Sequence, residues 1–262
     1  VSRALPAERR RRILELLRER GAVRASDLVA ELGVSEITVR RDLETLAHRG
    51  LLERSHGGAT LPGGIPAVAA VPERAAAKRA IGRAAAALVR GGETVFLNGG
   101  STSLEVFRHL GVPATVVTNN VFAALEPAAG GIELILLGGH VRSDLGERTV
   151  VGPFATETLR RTFATRAVLG VGGVALGAGL TTPLASEAEI ARLMIEQTRG
   201  PVVVVTDVSK LGAVSDFAVG PLEAMNVLVT NGEVAEPERS VLDEAGVEIV
   251  VVPVRATGSG RS

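Results

Sequence analysis

The sequence predicts an α/β protein of two parts, a winged helix-turn-helix head and a larger, mostly parallel α/β domain. Three observations predict it. Short amphipathic helices punctuated by glycines fill the first fifty residues and lead into a strand, a Gly-Gly pair and a second extended run. Between residues 94 and 231, Val/Leu-rich runs recur, each followed at once by small or polar residues and several separated by helical stretches. That is the pattern of strands covered on both faces. Charge divides along the same line. Residues 1–60 hold twelve Arg against nine Asp and Glu, and the rest of this chain of zero net charge holds seventeen basic against twenty acidic residues. A basic head on a mildly acidic body points to a nucleic-acid module on a carrier.

In the head, residues 8–20, "ERRRRILELLRER", place Ile13, Leu14, Leu16 and Leu17 on a charged background and end at Gly21, an amphipathic helix. Ser26 is expected to cap a second helix over 27–32, which Gly33 breaks, and Ser35 a third, which runs to about His48 and stops at Gly50. Leu51–Ser55 reads as a strand and Gly57-Gly58 as a tight turn. At ~100° per residue, Val39, Leu43 and Leu46 share one face of the third helix, Thr38, Arg41 and Thr45 fall roughly opposite, and Arg40 flanks them. Arg pairs with guanine edges and Thr offers a hydroxyl and a methyl. Ser35 sits at a helix N-terminus suited to a phosphate, and Arg54 and His56 on the wing reach toward the DNA backbone or minor groove. Ser35, Thr38, Arg40, Arg41, Thr45, Arg54 and His56 are thus the candidate DNA contacts.

Residues 57–72 are rich in Gly, Pro and Ala and read as a linker, giving an expected organisation of head 1–60, linker 61–72, sensor and oligomerisation domain 73–253, and a disordered tail 254–262. An Ala-rich helix is expected over 73–89. The runs "TVFL", "TVV", "ELILL", "AVLG", "VVVV" and "VLV" then read as strands, and ligands of such sheets bind outside the carboxyl ends of the strands. "NGGSTS", residues 98–103, is the best phosphate candidate: two glycines admit backbone amides, and three hydroxyls open the next helix. It lacks the GK[ST] of a Walker A loop. Lys210 in "TDVSKLG" stands out because the chain has twenty-seven Arg and only two Lys, Lys78 and Lys210, and a compact ammonium differs physically from a guanidinium fork. Arg142, in the loop after the third run, is a candidate anion clamp. "GVGGVA", residues 170–175, matches the glycine spacing of a dinucleotide turn only loosely, because further glycines follow where a helix should start.

Several classes are excluded. There is no cysteine, hence no disulfide framework, and four scattered histidines offer no zinc spacing; no metal, cofactor or catalytic residue is expected. Aromatic content of 2% argues against a base-stacking single-strand surface. The arginine-rich start lacks an apolar h-region, and no apolar run approaches the ~18 residues of a membrane span, so a cytoplasmic protein without membrane partners is expected.

The segment "VSEITVRRDLETLAHRGLLERSHGGA" resembles the DeoR family of bacterial transcription regulators, and "FLNGGSTS", "TVVTNN", "LLGG", "GLTT" and "DVSKLG" follow in that family's order. The resemblance implies a non-enzymatic, DNA-binding repressor of a sugar or carbohydrate catabolic operon. It implies a homo-oligomer, dimer or tetramer, released from double-stranded operator DNA by a phosphorylated sugar, with a sensor fold resembling ribose-5-phosphate isomerase. Motif matching adds Gly99, Ser101, Thr102, Thr118, Asn119, Gly139, Thr181 and Lys210 as effector contacts, beside Asn98 and Arg142. The chain departs from the family at Asn98 and Thr165, where acids are usual, and at Val29, where Ala is usual; the first two remove carboxylates suited to sugar hydroxyls. The alternative reading is a sugar-phosphate isomerase-like enzyme with a DNA-binding head.

Overall fold

The computed structural model describes residues 6–20, 22–48, 51–55, 58–60, 72–127, 130–144 and 147–253. Among the described residues two compact units result, residues 6–60 with 143, 144 and 147, and residues 72–142 with 148–253. The head runs α1 (Pro6–Arg20), β1 (Ala22–Arg24), α2 (Ala25–Leu32), α3 (Glu36–His48), β2 (Glu53–Ser55) and β3 (Gly58–Thr60). Ile13, Leu16 and Leu17 of α1 pack with Leu28 of α2 and Val39, Leu43 and Leu46 of α3, so one core holds all three helices. Gly33 ends α2 as expected: it adopts φ +63°, which glycine enters without a Cβ penalty, and its N–H bonds to the Val29 carbonyl. Ser26 does not cap α2. Arg24 occupies the cap position with no side-chain bond, and Ser26, the second residue of the helix, donates its hydroxyl to Asp27.

Strand β1 was not legible in the sequence. It pairs antiparallel with β3 in a sheet ordered β1-β3-β2, so the wing is a three-stranded sheet that closes on the turn between α1 and α2. The wing tip, including His56, and the segments 61–71 and 254–262 lie outside the described residues, as do the expectations made for them.

The second unit opens with α4 (Pro72–Ala86), β4 (Thr94–Leu97), α5 (Ser101–Arg108), β5 (Ala114–Thr118) and β6 (Ile132–Leu136). The chain continues through β7 (His140–Asp144), β8 (Glu147–Val151), α6 (Pro153–Arg160), β9 (Arg166–Gly170), β10 (Gly173–Ala175), β11 (Gly179–Thr182) and α7 (Ala185–Glu196). It closes with β12 (Val202–Val205), β13 (Phe217–Gly220), β14 (Val227–Asn231), α8 (Glu238–Glu244) and β15 (Glu248–Val252). Seven strands form one parallel sheet in the order β15-β14-β12-β9-β4-β5-β6.

Alternate residues of each strand serve opposite faces. Phe96, Leu169, Val204 and Leu228 join α6 and α7 in one core, while Leu97, Val168, Val203 and Val229 join α4 and α5 in the other. Two smaller sheets depart from the parallel pattern, β7-β8 and the antiparallel β10-β11-β13. The "GVGGVA" run is part of the second: strand β10, not a helix, follows the glycines, so the geometry of a dinucleotide turn is not formed. Among the described residues no helix is long and apolar enough to cross a membrane, and no cluster of His, Asp and Glu could hold a metal ion.

The amino ends of the central strands are tied by ions. Arg166, buried at the start of β9, donates Nε and Nη2 to Glu93 at 2.8 and 2.9 Å. Beside it, the Thr165 hydroxyl donates to the Thr94 carbonyl at 3.0 Å and accepts from the Thr94 amide at 3.1 Å. Thr165 therefore lies at the amino end of the sheet, opposite the ends that face ligands. The acid missing at Thr165 has no bearing on a ligand at the carboxyl ends, contrary to the expectation drawn from the motif.

Candidate functional site

Helix α3 presents its apolar face to the head's core and its polar face outward. Ser35 caps it: Oγ accepts from the Thr38 amide at 3.4 Å and shares a hydrogen with the Thr38 hydroxyl at 2.9 Å. Arg40 donates to Glu36 one turn earlier at 2.6 Å, and Thr45 donates its hydroxyl to the Arg41 carbonyl at 2.9 Å. Of the five α3 candidates named from sequence, four thus have polar groups engaged within the helix. Arg41 is exposed, and its guanidinium makes no hydrogen bond or ion pair with any described residue. Arg54 lies in β2 with its side chain outside the described atoms, and His56 is outside them entirely.

Beneath Arg41, Asp42 is 2% exposed and accepts from Nε of both Arg9 and Arg10, the latter at 2.7 Å. This ion triad couples α1 to the helix that carries Arg41. Sequence reasoning missed it because Asp42 falls on the flank of the wheel, and a carboxylate there reads as solvated until α1 is laid across it.

In the second unit the chain runs outward from β4 through β5 to β6, then returns to β9 and runs the other way through β12, β14 and β15. The reversal lies between β4 and β9, and open α/β sheets bind ligands in the crevice at such a switch, beyond the strand ends. "NGGSTS" forms that rim. Asn98 bridges the two strands: Nδ2 donates to the Gly170 carbonyl at 2.8 Å, while Oδ1 accepts from the Gly170 amide at 2.8 Å and the Ser103 hydroxyl at 2.9 Å. Asn119 Oδ1 accepts from the Gly99 amide at 2.7 Å, and Asn120 Nδ2 donates to the Gly100 carbonyl at 3.2 Å. A Cβ on Gly99 would fall 2.2 Å from the Thr149 methyl, so a larger residue there would have to displace Thr149.

Several sequence candidates have polar groups engaged within the protein. Asn98 and Asn119 spend their amides on the loop, buried Thr118 accepts from the Asn120 amide, and buried Thr181 accepts from the Ser215 amide. Gly139 packs against Val150 and Val151 of β8, and Arg142 is half-buried in β7. Thr102 and Ser101 stand half-exposed at the start of α5. Lys210 is exposed on the turn after β12, two strands from β4 and so about 10 Å across the sheet. It makes no ion pair with Asp207, whose carboxylate instead accepts from the Ser209 amide and hydroxyl.

Two residues at the rim were missed. Lys78 of α4 donates Nζ to the Ser101 hydroxyl at 2.8 Å, and no described carboxylate pairs with it. The signal was present, since Lys78 is the chain's other lysine, but it sits 23 positions before Ser101 on an Ala-rich helix that reads as a brace. Glu187, in the first turn of α7, accepts from Thr149 at 3.1 Å. In sequence it is only an acid in a helix's first turn, where the dipole favours one anyway.

Comparison with known proteins bears directly on these two units. The model of the DeoR-like helix-turn-helix domain matches residues 9–63, and that of the DeoR C terminal sensor domain matches residues 73–232. The chain belongs to the DeoR family. It is 36% identical over 257 residues to the HTH-type transcriptional regulator GlpR of Haloferax volcanii, covering 94% of this chain and 98% of that one. It is 31% identical over 245 residues to the HTH-type transcriptional repressor GlcR of Bacillus subtilis, covering 91% and 93%. Ribose 5-phosphate isomerase A of Methanocaldococcus jannaschii aligns over 51% of this chain and 53% of its own at 18% identity, with a TM-score of 0.36. As a DeoR-family member the chain is a DNA-binding regulator of transcription and not an isomerase. Its two matched segments are the head that carries α3 and the domain that carries the β4–β9 crevice.

Proposed function

We propose that this DeoR-family protein is a cytoplasmic repressor of a sugar or carbohydrate catabolic operon, released from DNA when a phosphorylated sugar occupies the β4–β9 crevice. The observation that carries the reading is Lys78 on Ser101 at the start of α5. A cation with no described carboxylate partner, a glycine rim and a helix N-terminus converge at the sheet's switch point, and each of these favours a phosphate. Ser101 and Thr102 supply hydroxyls, Lys210 and Arg142 are the further cations this reading draws from other elements, and Glu187 offers an acceptor for sugar hydroxyls. Asn98 and Asn119 hold the loop, and Thr118 and Thr181 bond neighbouring backbone, rather than the ligand. One head reads one half-site, and a two-fold operator calls for a dimer or a tetramer of such heads.

The test is a thermal-shift screen of the full chain against sugar phosphates, with free sugars and inorganic phosphate as controls. A ligand at about 100 times its Kd adds about 2.7 kcal/mol. Lys78→Met is expected to weaken the responding sugar phosphate by about 1.5–3 kcal/mol, the worth of a charge-assisted hydrogen bond, while DNA binding stays unchanged. Lys210→Ala is expected to act in the same direction, more weakly. No shift with any sugar phosphate, or an unchanged response in Lys78→Met, would overturn the assignment of the crevice.

For the head, Arg41→Ala is expected to cost about 1–3 kcal/mol and to relax sequence preference at one base pair. Anisotropy titrations on selected and scrambled duplexes check this. An equal loss on both would make Arg41 a phosphate contact.

A further inference from the structure

Ile37 is 81% exposed, although it is the second residue of α3 and a large aliphatic side chain. The head's other large aliphatics on α3, Val39, Leu43 and Leu46, are buried to 3% exposure or less. Position 37 is therefore no stray edge of the core. It lies on the stripe opposite Val39, four residues before Arg41, and side chains so spaced are neighbours about 6 Å apart. The hydroxyls of Thr38 and Thr45 and the guanidinium of Arg40 already have partners within the helix. Among the described residues, what α3 presents outward without a partner is one guanidinium and one branched aliphatic group, side by side near the helix N-terminus.

We infer that Ile37 is a specificity-determining residue that contacts the C5-methyl group of a thymine, within two base steps of the guanine read by Arg41. The inference rests on the reading of α3 as the base-contacting helix. In the major groove the thymine methyl is the apolar feature of the base edges, and apolar side chains read it. Recognition helices place their N-terminal residues against those edges. Base pairs follow one another at about 3.4 Å, so two side chains about 6 Å apart along the helix span no more than two steps. The polar contact selects a guanine and the apolar contact a methyl, so each half-site carries a G and a T in fixed register.

The experiment uses the full chain. Duplexes selected by the wild-type protein from a randomised library are remade with deoxyuridine at each thymine in turn, which removes only the methyl. Binding of wild type and Ile37→Ala is measured by anisotropy at one salt concentration. Alanine is the stronger helix former at an exposed position, so the variant folds. Wild type is expected to lose about three- to fivefold at one thymine per half-site, the worth of one buried methyl. Ile37→Ala is expected to bind the selected thymine duplex correspondingly more weakly and to lose nothing further with deoxyuridine there. If deoxyuridine is neutral everywhere, or if Ile37→Ala keeps the full penalty, Ile37 does not read a methyl. If the wild type enriches no sequence at all, the reading of α3 itself fails and this inference falls with it. Enrichment that depends on Arg41, with neutral deoxyuridine, sinks the inference alone.

Discussion

Asp42→Asn is expected to destabilise the head by about 3–5 kcal/mol, because it leaves two arginine charges against a site built for a carboxylate. Asp42 is 2% exposed and Arg9 8%, so water does little to replace the lost charge. Urea denaturation of the full chain, followed by a probe in the head, measures the loss directly. The expected consequence for function is weaker binding to every DNA sequence, since α3 loses its anchor to α1 while Arg41 and Ile37 are untouched. A triple variant, Asp42→Leu with Arg9→Met and Arg10→Met, separates charge from packing. Replacing a whole buried ion cluster by apolar residues is often neutral or stabilising, so the triple variant is expected to regain most of the stability lost in Asp42→Asn. Equal stability of wild type and Asp42→Asn would show that the triad is solvated and holds nothing.

Glu93→Gln is expected to cost the second unit about 2–4 kcal/mol at neutral pH, by unpairing Arg166, whose side chain is 7% exposed. The pair also sets a pH dependence. Hydrogen bonding from Arg166 is the largest influence on Glu93; it outweighs the opposing effect of burial and holds the carboxyl below its usual value of 4.5. A carboxyl whose folded pKa is depressed stabilises the fold fully above its unfolded pKa, and that contribution is lost as pH falls through the folded value. Wild type is therefore expected to lose this contribution only below about pH 4.5, and Glu93→Gln to lack that part of the acid slope. Denaturant titrations at pH 7 and at steps below pH 5 on both proteins decide it. Parallel acid slopes would show that Glu93 gains nothing from Arg166.

How far the sequence alone carries is clearest residue by residue. The 3.6-residue period of Val39, Leu43 and Leu46 and the break at Gly33 located the recognition helix, because helix faces and left-handed glycines are local properties. The Val/Leu runs located the central strands for the same reason: a strand covered on both faces must be apolar along its length. Strand β1 was not legible, since three residues with no period become a strand only when β3 arrives to pair with them. Thr165 was misplaced because a motif gives order along the chain but not which end of a strand a residue occupies. Register with Thr94 puts it at the amino end.

The effector crevice divides in the same way. "NGGSTS" announced itself through residue types that suit an anion, and its place after an apolar run put it at a strand end. The roles within it were decided only by the fold. Asn98 matches a ligand position in the motif yet is consumed in joining β4 to β9, and Lys78 comes from a helix 23 residues away to stand over Ser101. Local order along the chain is written in side-chain chemistry and period. Which polar groups are spent on the protein, and which remain for a partner, depends on contacts between segments remote in sequence, and only the tertiary structure decides those.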